Sequence, residues 1–217
     1  MYHFETSNTQ NMKSAIFAVV AFLSTFTGSA QTTKDFFVPT PPNNKATFYK
    51  PSKTGGRTDM TRILFYADKG TTYEITDVMM YSGNPTAIST MTVTFNGNEV
   101  AMTKSVTTNI RETNKQRIHN PATILFKLPP AEGTVSWSSD DTVGDKIKYT
   151  ASWTVTNVDG KELKTIMVEK EVEGFGHVSI EYYVQGIGLY KTDLKSSDGK
   201  LQAFESFDEL IHDPTVK

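Results

Sequence analysis

The sequence predicts an all-β fold, mainly antiparallel, with at most a short C-terminal helix. Three observations predict it. Apolar and polar residues alternate at period two over several stretches, as in Met91-Thr92-Val93-Thr94-Phe95 and Tyr149, Ala151, Trp153 and Val155. Glycine-containing turn pairs (Asn96-Gly97, Asp159-Gly160, Asp198-Gly199) separate such stretches. Helical spacing is confined to Phe204–His212, which Pro214 would end. Period two marks a half-buried strand, and one apolar face opposite one polar face marks antiparallel pairing. The many Thr, Val, Ile, Tyr and Phe residues suit a pleated surface.

Residues 1–30 read as a secretory leader rather than as part of the fold. A lone cation, Lys13, precedes the apolar run AIFAVVAFLSTF over residues 15–26, and Gly28-Ser29-Ala30 supplies the small residues of a cleavage site. The run is too short to span a bilayer, which takes about 20 apolar residues. Met12 is the better start, since the residues before it add only a polar stretch containing Glu5. Cleavage near Ala30 would give a periplasmic or extracellular protein beginning at Gln31, with no membrane span and no cysteine for lipid attachment. Residues 31–45, rich in Pro, Thr and Asn, read as an extended lead-in.

The strands then follow in order over residues 46–210, one β-rich domain, leaving 211–217 as a tail. Ala46–Tyr49, Ile63–Ala67 and Tyr73–Tyr81 are short candidates. Met91–Phe95, Asn96-Gly97 and the pair Val100 and Met102 make the strongest hairpin signal, because both turn residues tolerate positive φ. Thr103–Asn120 has no sustained apolar period and reads as a long loop or a polar edge hairpin. Ala122–Leu128 and Thr134–Trp137 come next, and Leu163–Val172 returns antiparallel to the run at Tyr149–Val155. Val178, Ile180, Tyr182 and Val184 form one apolar face of a later strand, and Leu189–Leu194 joins Leu201–Phe204 through Asp198-Gly199.

Composition narrows the function. Of 217 residues 22 are Lys or Arg and 24 are Asp or Glu, a formal charge of −2 that argues against phosphate-neutralising nucleic-acid binding. The absence of cysteine removes disulfides, thiolate nucleophiles and zinc–thiolate sites. His119, His177 and His212 have no ligand or carboxylate at metal spacing, and no Gly-x-Ser-x-Gly elbow occurs. Asp140-Asp141 sits in a turn, and Glu169, Glu171 and Glu173 mark the solvent side of a strand. Gly186-Ile187-Gly188 lacks the third glycine and the helix of a phosphate loop, so it reads as a kink between strands. No catalytic residue, metal or cofactor is expected. Methionines at 60, 79, 80, 91, 102 and 167, among many aromatics, either fill the core or line an adaptable apolar groove.

Two stretches carry a resemblance. Pro121–Pro130, followed by Gly133 and Trp137, and Glu181–Lys191, followed by Leu194, give the order P-x-x-x-L-x-x-L-P, G-x-x-x-W and Y-x-x-G-x-G-L-x-K. This order resembles the exported bacterial TapB-like proteins, with Tyr190 standing where that group has valine. The resemblance spans residues 46–205 and implies a single curved antiparallel sheet, half-barrel or sandwich-like. It attaches no catalytic residue. Pro129, Gly133, Gly186 and Gly188 are expected to shape the chain, since proline ends a ladder and glycine lets it bend.

The function expected is a non-enzymatic envelope domain binding an apolar small molecule or a partner protein. Trp137, Trp153, Met91, Met102 and Tyr182 are the ligand-lining candidates. An interaction module using edge strands is the alternative, and a hydrolase assembled from scattered Asp, Glu and His is a third.

Overall fold

A computed structural model describes residues 31–54, 56–109, 112–140, 146–174 and 176–216. The leader reading and Asp141 therefore lie outside the described residues. From Thr32 onward the described residues form one helix, α1 (Thr33–Phe37), and twelve strands. These are β1 (Lys45–Pro51), β2 (Arg57–Asp68), β3 (Tyr73–Tyr81), β4 (Asn84–Asn96), β5 (Glu99–Asn109), β6 (Glu112–Lys127), β7 (Thr134–Asp140), β8 (Lys146–Val158), β9 (Lys161–Val172), β10 (His177–Val184), β11 (Gly188–Ser196) and β12 (Leu201–Ile211).

All twelve belong to one antiparallel sheet, the single curved sheet expected, curled until it is nearly a closed barrel. Sequential hairpins build each half, and β1 pairs with β12, so the two ends of the chain meet inside the sheet. The seam lies instead in the middle of the sequence, between β6 and β7, which share no ladder. Thr103–Asn120 is thus the edge-hairpin alternative: it contributes to β5 and β6, and β6 is a free edge.

The turns follow the glycines. Asn96 pairs with Glu99, leaving Gly97 and Asn98 as the two loop residues, with Gly97 at φ 59°. Glycine first is the habit of a type II′ turn, so the hairpin sits one residue later than Asn96-Gly97 suggests. Asp159 and Gly160, both at positive φ, make the corresponding two-residue turn between β8 and β9.

Alternation fills the interior. Phe48, Leu64, Tyr66, Ile75, Val93, Phe126, Ala151, Ile166 and Val168 are buried in one cluster. Two segments differ from expectation. Phe204–His212 is strand, not helix: Phe207 faces Phe48 and Leu210 faces Ala46 across a bulge at Thr47/Phe48. The bulge puts inward residues three apart in β12, a spacing that imitates a helix until the partner strand is seen. Conversely, the lead-in is not wholly extended. Thr33–Phe37 coils because Asp35 accepts the Thr32 backbone N–H at 2.8 Å while its own N–H donates to the Thr32 carbonyl at 3.1 Å.

That helix plugs one end of the barrel. Phe36 and Phe37 are buried, and Phe37 stacks on Tyr183 at 5.6 Å and packs against Phe126 at 5.7 Å. Full burial is worth about 1.5–3 kcal/mol for each such ring. The segment is fixed by two backbone bonds to the β10–β11 turn: Thr40 donates to Gly186 and Gly186 donates to Asp35. A Cβ on Gly188 would lie 3.3 Å from the Phe37 carbonyl, and one on Gly186 would lie 3.0 Å from Thr40 Oγ1. The two glycines are there so that the plug can dock closely.

Candidate functional site

The same period-two rule that makes the strands leaves charged groups inside. In β2 the inward parity runs Met60, Arg62, Leu64, Tyr66; in β3 it runs Tyr73, Ile75, Asp77, Met79; in β9 it runs Ile166, Val168, Lys170. One charge per strand on an otherwise apolar side forms a belt midway along the barrel. Arg62 donates to Asp77 through Nε at 3.0 Å and Nη2 at 2.8 Å, and to Glu205 through Nη1 at 2.8 Å. Across the interior, Lys170 pairs with Glu181 at 2.6 Å, and the Tyr183 hydroxyl donates to the same carboxylate.

Arg62 and Glu181 keep their charges. Burial pushes the Glu181 carboxyl up, but Lys170 and the Tyr183 hydroxyl overcome it, and the net shift is downward. Burial also opposes the Arg62 charge, and Asp77 with Glu205 more than restores it. Tyr66 and Tyr183 are raised above their ordinary phenol value, chiefly by burial, so both remain neutral donors.

Between the belt and the plug lies a cavity of about 180 Å³. Its walls are Phe37, Leu64, Tyr66, Ile75, Met91, Met102, Leu125, Tyr183 and Leu189, with Arg62, Lys170 and Glu181 at one side. The space is mostly apolar with a convergent set of charged groups, the ordinary make-up of a small-molecule site. It is of the order of cavities of ~150 Å³ that accept benzene, far too small for a long acyl chain. Nothing in it resembles a nucleophile with its base, and among the described residues no group of three His, Asp or Glu side chains is placed to hold a metal ion.

Of the sequence candidates, Met91 and Met102 line this cavity. Trp137 stands at the seam, stacked on Tyr149 at 4.9 Å. Trp153 packs edge-on against Phe36 and donates Nε1–H to the Pro130 carbonyl at 2.7 Å, closing the plugged end. Tyr182 is a correction. It faces away from the core under Lys191, whose Nζ lies 4.1 Å from the ring centre, while Glu181 and Tyr183 point inward. The run Val178, Ile180, Tyr182, Val184 is regular, but it is the outer face: Tyr183 is the residue opposite core Ile166 and Leu189. Pro129 is buried in the β6–β7 connection and Gly133 turns there at φ 104°.

Arg62, Asp77, Lys170, Glu181 and Glu205 escape a reading that looks for motifs. Their signal is a single charge interrupting apolar parity, visible once each strand's register is known. The histidines stay separate: His119 lies between Ser105 Oγ and Thr123 Oγ1, both at 3.0 Å, and His212 Nδ1 meets the Pro42 carbonyl, while His177 is exposed at the start of β10.

No family model matches this chain, and no curated protein matches it. Two solved structures are similar to it: a candidate exported protein with a YmcC-like fold from Bacteroides fragilis (TM-score 0.47, 10% identity) and a candidate lipoprotein from Parabacteroides distasonis (TM-score 0.45, 11% identity). Each likeness covers 82% of this chain and 99% of the other. Among the described residues no helix is long and apolar enough to cross a membrane.

Proposed function

We propose that this protein is an exported, non-enzymatic binding domain that holds a small amphiphile inside its barrel. The observation that carries the reading is the internal cavity, walled by Met91, Met102, Ile75 and Leu64 and ending on the Arg62–Lys170–Glu181 belt. Methionine is unbranched and polarizable, which suits a wall that must adapt to a guest. Export rests on the leader pattern of residues 13–30 and on the TapB-like motifs; N-terminal sequencing of the secreted material should begin at Gln31.

Native mass spectrometry of protein purified without detergent, followed by NMR titration with toluene, tests the reading. An adduct of small mass, or selective shifts of the Met91 and Met102 methyl signals, is expected. No adduct and no shift at either methyl would overturn it.

A second reading is favoured by the seam. There the β6 edge meets β7 through side chains: Ser139 Oγ accepts the Ile124 N–H at 3.1 Å, and Trp137 Nε1–H donates to the Ile124 carbonyl at 3.1 Å. Beyond these bonds a polar groove of about 870 Å³ opens between Arg117, His119 and Asp140. An extended peptide adding a strand there would use the free edge. Proline at Gln116 would abolish capture of such a partner and leave toluene binding intact.

A further inference from the structure

The fold leaves the Tyr66 hydroxyl, a polar atom on the cavity wall, without a partner. Among the described residues nothing bonds to it: Arg62 and Asp77 act on it only through space. Burial keeps this phenol neutral, so it holds a proton to donate. Nor is it sealed in packing, as the Thr47 and Thr192 hydroxyls are. In a residue that is 5% exposed and lines the cavity, the surface this oxygen keeps opens on the cavity. A buried donor left without an acceptor is costly, and a guest supplying one would remove that cost. Register gives the direction: Tyr66 is opposite Ile75 in β3, and Ile75 is opposite Met91 in β4, so the phenol and the methionine wall lie in one row.

The charged groups beside the cavity are already matched. Arg62 is paired with Asp77 and Glu205, and Lys170 with Glu181. Lys50 shares the inner space with Arg62 and Glu205, so three cations, Lys50, Arg62 and Lys170, stand against three carboxylates, Asp77, Glu181 and Glu205. A charged guest would lose its hydration and find no free counter-charge. The volume of about 180 Å³ admits one ring or a short alkyl chain. We infer that the barrel binds an uncharged, single-ring or short-chain molecule bearing one oxygen acceptor (an alcohol, phenol or ketone), with that oxygen on the Tyr66 hydroxyl and its apolar body against Ile75 and Met91. This assignment rests on the cavity being a binding site, and adds the polarity of the guest and the residue that reads it.

Isothermal titration of the whole protein and of Tyr66→Phe with toluene, benzyl alcohol, benzylammonium and benzoate separates the two claims, because these compounds share a ring and differ in head group. Tyr66→Phe removes the hydroxyl and keeps the ring. It should weaken benzyl alcohol binding roughly three- to tenfold, the net worth of one neutral hydrogen bond, and change toluene affinity less than about twofold. Benzylammonium and benzoate should bind more weakly than benzyl alcohol. Because the substitution deletes a hydroxyl with no partner, the unliganded variant should be at least as stable as wild type in urea. Toluene binding with an unchanged benzyl alcohol affinity in Y66F, an equal loss for both, or tighter binding of either charged compound overturns the acceptor assignment while the cavity reading stands. A less stable Y66F protein overturns it too, since the hydroxyl would then be bonded within the protein. No binding by any of the four removes both.

Discussion

The Trp137 indole N–H reaches across the one break in the sheet and donates to the Ile124 carbonyl at 3.1 Å. The ring lies flat on Tyr149, 4.9 Å away with 2° between planes, so a strand-to-strand contact that the backbone does not make is made by a side chain on a rigid base. A curled sheet whose two free edges are pinned in this way is held nearly closed without a continuous ladder.

Trp137→Phe should keep most of the stacking and lose the bond, leaving the Ile124 carbonyl short of a partner. The expected loss of stability is about 1–3 kcal/mol, read from urea unfolding. Hydrogen exchange should rise first at Ile124 and its neighbours; faster exchange spread evenly through the molecule would contradict a local role at the seam.

Gly188→Ala addresses the plug. Gly188 is at φ 86°, where a side chain costs about 1–2 kcal/mol, and the new Cβ would press on the Phe37 carbonyl. Limited proteolysis within residues 33–45 should accelerate before the sheet is lost. An alanine protein as stable as wild type, with an uncut N-terminal segment, would show that α1 docks independently of this turn.

Arg62→Met removes the cation and leaves Asp77 and Glu205 facing each other. Breaking a buried pair by deleting one partner costs about 3–5 kcal/mol, and chemical denaturation should find a loss of that size. Arg62→Met with Asp77→Asn and Glu205→Gln should recover much of it, since the uncompensated charges are then gone; failure to recover would mean that packing of the guanidinium, not charge, sets the cost.

Acidification should weaken the fold through His119. Burial, then Arg117, holds this imidazole below its ordinary value of 6.5, so the folded protein favours the neutral ring. The unfolded chain therefore takes up protons first as pH falls. The stability contribution is present above about 6.5 and is lost between that value and the lower folded one. Unfolding titrations from pH 7.5 to 5 should show the decline in wild type and a flatter profile in His119→Gln; parallel profiles would exclude His119 as its source.

Much of the architecture was legible because a strand writes its burial into alternate residues. Met91, Val93 and Phe95 faced inward as their spacing required, and the glycine turns fell within a residue of their predicted places. Where the pattern misled, the cause was a neighbour. The bulge opposite β1 gave Phe207 and Leu210 helix-like spacing. The regular run ending at Val184 was equally compatible with either face until Ile166 and Leu189 claimed Tyr183.

The sequence by itself determined that this chain is a meander of antiparallel strands, because period-two hydrophobicity and positive-φ turn residues are local properties. Only the tertiary structure decided that the sheet curls until β6 and β7 meet, that a short helix stoppers one end, and that Arg62, Asp77, Lys170, Glu181 and Glu205 assemble into a single belt. Those residues are separated by up to 143 positions in the chain. Their meeting follows from register summed over many strands, which no short window of residues contains.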